Sequence, residues 1–124
     1  MVFATPPPPS PPAVVRALSK ALNANDNKAA AALFAPGAEL IQGVDVLLTP
    51  KLALAWNQSL PCGGKILSLT RNGNRVRATF LLKERPKHTC DGPGQKAAAV
   101  FIVKKGKIVF WEQVPVKQTG VVGA

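Results

Sequence analysis

Apolar and polar positions follow two rhythms along this chain, and the rhythm changes near residue 60. From Val14, apolar residues recur as Val14, Val15, Leu18, Ala21 and Leu22, a one-sided stripe at helical spacing. Asn23-Ala24-Asn25-Asp26-Asn27 interrupts it, because Asn and Asp side chains compete for backbone partners and so end and start helices. Asp26 or Asn25 is expected to cap a second helix over Lys28–Phe34, where Ala29 to Ala32 supply high propensity. Pro36-Gly37 is expected to stop that helix, with Ala38–Ile41 an edge-like strand after it. Beyond Gly43-Val44-Asp45 and Val46–Leu48, Thr49 and Pro50 suit the cap and first position of a third helix. Leu52, Leu54, Ala55 and Leu60 are its expected apolar anchors, with Trp56 on or near their side, and Pro61-Cys62-Gly63-Gly64 ends it.

From there the period is two. Lys65–Arg71 runs into Asn72-Gly73, the strongest short hairpin signal in the chain. In the return strand Val76, Ala78, Phe80 and Leu82 share one face, and Arg75, Arg77 and Thr79 the other. A loop rich in Pro and Gly spans Arg85–Gln95, and Ala97–Val103 with Ile108–Val116 forms a last hairpin turning at Lys105-Gly106. Both faces of Ala98–Val103 are apolar, which predicts a strand covered on both sides.

The ends read differently. Six of the twelve prolines fall within residues 1–12, a composition that favours polyproline II over helix or sheet. The domain reading is therefore a Pro-rich linker over 1–12, a folded unit over 13–118 and a flexible tail over 119–124. The 124 residues suit one domain, and 47% apolar composition argues for a globular chain. No run is long and apolar enough to span a bilayer, and Met1-Val2-Phe3-Ala4 lacks the basic and apolar regions of a signal peptide.

Charge adds one contrast. Sixteen Lys and Arg stand against six Asp and Glu, a net +10 that invites anionic partners. Yet the cations are spread from Arg16 to Lys117, Tyr is absent, and no basic–aromatic interleaving suited to stacking bases occurs. A solvated basic surface is the expectation, with weak contact to an anionic envelope surface as the partner reading and no specific nucleic-acid site.

Cys62 and Cys90 lie in Pro- and Gly-rich loops, Pro-Cys-Gly-Gly and Thr-Cys-Asp-Gly-Pro-Gly, rather than in apolar runs. Their context and even number suggest a disulfide and an oxidising compartment; two reduced thiols, or a metal site with His88 and Asp91, are the alternatives. The spacing is not a recognised zinc set, so no metal and no cofactor is expected. His88, the single histidine, is a catalytic-base candidate by its ordinary pKa, against the plainer reading of an exposed loop residue. Asp45 is the other weak catalytic candidate, against a turn role.

The run ALNANDNKAAAALFAPGAEL and the tail VFIVKKGKIVFWEQVP together resemble the nuclear transport factor 2-like superfamily, also called SnoaL-like or cystatin-like. The resemblance spans residues 14–116 and implies an α+β cone: three N-terminal helices packed on a curved antiparallel sheet. It also implies that both cysteines reach one end of the sheet. Ketosteroid isomerase-like members carry a Tyr on the first helix, an Asp after the first strand and an acid on the penultimate strand. The matching positions here are Leu18, Gln42 and approximately Ala99, which offer neither base nor oxyanion donor set. The inward polar residues of limonene epoxide hydrolase-like and scytalone dehydratase-like members cannot be placed either. The resemblance still implies a mostly apolar pocket of Leu18, Phe34, Phe80, Phe101, Val109, Trp111 and Gln113. On the convex face Val100, Ile102 and Phe110 are expected to meet a second copy in a homodimer.

The functional expectation is a non-catalytic binding or accessory domain, exported to the cell envelope or beyond, with a pocket for a small hydrophobic ligand. The alternatives are a SnoaL-like small-molecule enzyme using the same pocket, and a dimeric interaction module in the cytoplasm. The fold is shared by all three classes and does not choose among them.

Overall fold

The computed structural model describes residues 7–117, so the tail from 119 and the first six residues of the Pro-rich segment lie outside the described residues. Among the described residues, three helices and six strands follow in the order α1 Pro11–Asn23, α2 Asn27–Ala32, β1 Phe34–Gln42, β2 Val44–Leu48, α3 Pro50–Ser59, β3 Gly63–Asn72, β4 Arg75–Lys83, β5 Lys96–Lys104 and β6 Lys107–Val114.

Each helix begins on a side-chain oxygen that satisfies a free amide. Ser10 accepts from Ala13 at 3.3 Å, Asp26 from Ala29 at 3.1 Å, and Thr49 from Leu52 at 3.2 Å. Pro11 and Pro12 open α1 instead of ending the linker, because a helix's first turn needs no amide donor there. Upstream, Pro8 and Pro9 lie against the β5–β6 turn: a Cβ on Gly106 would sit 2.9 Å from Pro9 Cδ. That turn pairs Lys104 with Lys107 across Lys105 and Gly106, both at positive φ, the backbone twist that two-residue hairpins favour.

The strand order is β2-β1-β6-β5-β4-β3. Neighbours pair antiparallel except β1 and β6, which run parallel, so the sheet is mixed rather than antiparallel throughout. Two further expectations change here. Helix α2 ends at Ala32, and β1 starts at Phe34 and carries Pro36-Gly37 as an irregularity in its pairing with β6. Because β1 hydrogen-bonds on both sides, it is an interior strand, and β2 is the edge.

Val14, Val15 and Leu18 of α1 and Ala53 of α3 pack over Leu40, Val76, Ala78, Phe101, Val103, Ile108 and Trp111 from the sheet. In α3 the inward stripe is Ala53, Trp56, Asn57 and Leu60, whereas Leu52 is 45% exposed. Leu60 and Trp56 thus keep their expected side, while Leu52 gives way to the small Ala53 and the amide of Asn57. Asn57 is fully buried and donates to the Ala53 carbonyl at 2.8 Å, while its Oδ1 has no protein partner.

Arg85 is the largest fully buried side chain. Its guanidinium donates to the carbonyls of Leu22 (3.0 Å), Asn57 (2.9 Å) and Leu60 (2.6 Å) and to Asn27 Oδ1. These acceptors lie at the end of α1, the start of α2 and the end of α3. One planar fork of donors therefore closes two helix C-termini, where free carbonyls and the helix dipole favour a cation. Burial pulls the Arg85 pKa below its ordinary value. Among the described residues, no helix is long and apolar enough to cross a membrane.

Candidate functional site

Helices α1 and α3 stand off the concave side of the sheet far enough to leave a cavity of about 350 Å³. Its wall is apolar and aromatic: Leu18 and Leu22 from α1, Trp56 and Leu60 from α3, Phe80 and Leu82 from β4, Ala99 and Phe101 from β5, Trp111 from β6. The rings meet edge to face, Trp56 with Trp111 at 5.0 Å between centroids and Phe101 with Trp111 at 6.5 Å, geometry that the quadrupoles of aromatic rings prefer. The polar liners are few. Gln42 accepts from Trp56 Nε1 at 3.2 Å, and Gln113 lies at the exposed end of β6.

The rim is built from the α3–β3 connection and the β4–β5 loop, joined by a Cys62–Cys90 disulfide that closes 28 residues of sequence. The disulfide replaces the alternative of reduced thiols, and it removes both thiolates from the metal set suggested by Cys62, Cys90 and Asp91 lying within 4.8 Å. Beside it, α1 is stitched to β3: Ser19 Oγ and Asn23 Nδ2 donate to the Gly64 carbonyl at 3.1 and 2.9 Å, and Gly64 N–H donates to Asn23 Oδ1 at 2.8 Å. Gly63 is required by this approach, since a Cβ there would lie 2.4 Å from Asn23 Oδ1.

Of the seven pocket residues expected from sequence, Leu18, Phe80, Phe101, Trp111 and Gln113 line the cavity. Phe34 does not: it is buried beneath Trp56, ring to ring at 5.7 Å. Val109 does not either. Ile102 pairs with Phe110 and Val103 with Ile108, so Val109 is the extra residue of a β-bulge, and Ile108 takes the core position. Strict alternation back from Trp111 therefore failed at one residue.

Neither catalytic candidate reaches the cavity. Asp45 lies within β2, on the convex face with Glu39 and Glu112, not in a turn. Glu39's pKa is raised, first by a hydrogen bond shared with Asp45, then by burial, then by the charges of Asp45 and Glu112. His88 bridges two carbonyls, Nδ1 to Pro86 and Nε2 to Gln58, each at 2.9 Å. It tethers the β4–β5 loop to α3. By contrast Leu18, Gln42 and Ala99, the positions matched to the isomerase acids and donors, all line the cavity.

The convex face also differs from expectation at one residue. Val100 is 1% exposed within the single chain. Arg77 pairs with it on β4 and donates across β5 to the Pro115 carbonyl, just past the end of β6, at 2.5 Å, so its side chain covers the strand between. Ile102 and Phe110 remain half-buried.

What sequence reading missed entirely is the structural polar set, Arg85, Asn57 and the Ser19–Asn23–Gly64 clamp. An arginine opening a Pro-rich loop looks solvated; only the convergence of three helix ends on one point makes it a buried donor.

No family model matches the chain, and no curated protein matches it in sequence. Solved structures do match in shape. A protein from Sinorhizobium meliloti provisionally named a polyketide cyclase shares 21% identity at a TM-score of 0.67, over 82% of this chain and 93% of that one. A nuclear transport factor 2-like protein of unknown function from Cytophaga hutchinsonii aligns at 0.70 with 13% identity, over 92% and 93%. A protein with a ketosteroid isomerase-like fold from Catenulispora acidiphila, in complex with trimethylamine, aligns at 0.70 with 15% identity, over 84% and 85%. The chain has the nuclear transport factor 2-like, or SnoaL-like, cone fold.

Proposed function

We propose that this domain is a non-catalytic binding module, exported from the cytoplasm, whose cavity holds a small apolar ligand. One observation carries the reading. The three cavity positions matched to isomerase chemistry hold Leu18, Gln42 and Ala99, so a bound molecule meets contact area and amides instead of a base beside an oxyanion donor. A cavity of about 350 Å³ with aromatic walls suits a compact apolar molecule. The disulfide supports export, because such bonds persist in oxidising compartments. A groove between α1 and β3, lined by Arg16, Lys20, Lys65 and Lys83 and by no carboxylate among the described residues, supports contact with an anionic envelope surface.

The test uses the chain's own chromophores. Both tryptophans line the cavity and tyrosine is absent, so intrinsic fluorescence reports on this site alone. Titration with a neutral apolar probe such as 1-adamantanemethanol is expected to shift the emission saturably, with Ala99→Trp abolishing the response. Ketosteroid isomerisation at the uncatalysed rate is expected alongside; turnover well above it supports the enzyme reading instead.

A second reading, a homodimer through the convex face, is favoured by the arrangement of that face. Glu39, Asp45 and Glu112 lie on the β2-β1-β6 half and Arg75 and Arg77 on β4, with Ile102 and Phe110 between. Two copies related by a two-fold axis along the strands set acid over base. Sedimentation at tens of micromolar, an ordinary range for such interfaces, tests it; a monomer counts against it.

A further inference from the structure

The cavity's charge is the opposite of the chain's. Sixteen Lys and Arg give this protein a net charge of +10, yet among the described residues no Lys or Arg lines the cavity, and the single charged liner is Asp91. Asp91 is exposed at the rim, placed there by the disulfide: its Oδ1 lies 3.7 Å from Cys62 Sγ, which as half of a disulfide has no hydrogen to donate. From the rim inward the wall turns to aromatic rings, Phe80, Phe101, Trp56 and Trp111.

We propose that the cavity selects organic amines: a protonated ammonium at the Asp91 rim and a compact apolar body against the tryptophans. This rests on the ligand-binding reading above and names the charge of the ligand for that site. Three physical effects act in the same direction. The carboxylate attracts the ammonium at short range, as an exposed pair at the rim. Aromatic faces carry negative quadrupoles that favour a cation and disfavour an anion. A carboxylate or phosphate ligand finds no cationic partner in the wall and meets Asp91 as a like charge, so it loses hydration without replacement. The field of the whole chain opposes this, since +10 attracts anions. At physiological ionic strength charges beyond about 8 Å are largely screened, so only the cations nearest the wall compete with Asp91.

Three probes of one rigid, non-absorbing skeleton separate the effects: 1-adamantanemethylamine, 1-adamantanemethanol and 1-adamantanecarboxylate, titrated at neutral pH and 0.15 M salt by tryptophan emission and calorimetry. The expected order is amine, alcohol, carboxylate, with the amine about threefold to tenfold tighter than the alcohol, as for a partly exposed ion pair. Asp91→Asn is expected to bring the amine to the alcohol's affinity and leave the alcohol unchanged, and Asp91→Glu to restore the preference. A carboxylate that binds as tightly as the amine, or an amine preference that survives Asp91→Asn, overturns the proposal while leaving the cavity a ligand site. Failure of all three probes to bind overturns the ligand-binding reading itself and this proposal with it.

Discussion

The rim end of the molecule and the β2 corner are held in opposite ways. At the rim, loops that pair with the sheet only through Gly94 and Gln95 on Leu82 are tethered three times over: by the Cys62–Cys90 bond, by Arg85 across two helix C-termini, and by His88 between Pro86 and Gln58. At the corner, β2 is held by its five-residue register with β1, and Val44 and Leu47 stand 68% and 65% exposed. The difference teaches where stability is concentrated. Loops cannot satisfy their backbone groups by pairing, so a fixed cavity mouth needs cross-links that strands supply for themselves.

If that contrast is right, the largest loss comes from Arg85→Ala. It leaves one buried and two part-buried carbonyls without their donor, each costing about 1–3 kcal/mol if unsatisfied, and the expected loss is about 3–5 kcal/mol in denaturant unfolding, by analogy with breaking a buried charged network. A loss below about 1 kcal/mol would show that water reaches those helix ends. Next comes the double variant Cys62→Ala/Cys90→Ala. Opening a 28-residue loop costs roughly 3–4 kcal/mol on the chain-entropy account, and intact mass without reductant should first find two protons fewer than the free-thiol chain. His88→Ala should cost about 1 kcal/mol, one loop tether, and expose the β4–β5 amides to faster hydrogen exchange.

At the corner the same measurements should barely move. Leu47→Ser removes an exposed side chain, and its expected effect lies within about 0.5 kcal/mol of zero. A large loss there would mean that a second copy covers the convex face, which sharpens the comparison into one between a covalent end and an associating end. Smallest is Glu39→Gln. Glu39's raised pKa means that the protonated form favours the fold. That contribution is complete below the ordinary carboxyl value of 4.5 and is lost as pH rises through the raised folded value. Glu39→Gln should therefore raise Tm slightly at pH 7 and leave it unchanged at pH 3. A thermal melt series against pH checks the sign.

By itself the sequence determined whatever depends on neighbours within one or two turns of chain. The α1 stripe, the Asp26 and Thr49 caps and the hairpin turn at Lys105-Gly106 follow from local spacing and from side chains that bond their own backbone, while the cone class was implied by the resemblance of two stretches to a known family. The loop setting of the two cysteines pointed to their bond in the same way. Tertiary structure decided everything that depends on distant segments meeting. The parallel β1–β6 pair joins strands more than sixty residues apart in sequence. A single bulged residue at Val109 moved Ile108 into the core, because strand phase is a property of the pair and not of one strand. Arg77 folded over Val100, and Arg85 went inward, because acceptors from separate helices converge there. Asp91 reached the cavity rim because the Cys62–Cys90 bond draws two loops together; no spacing along the chain encodes that approach.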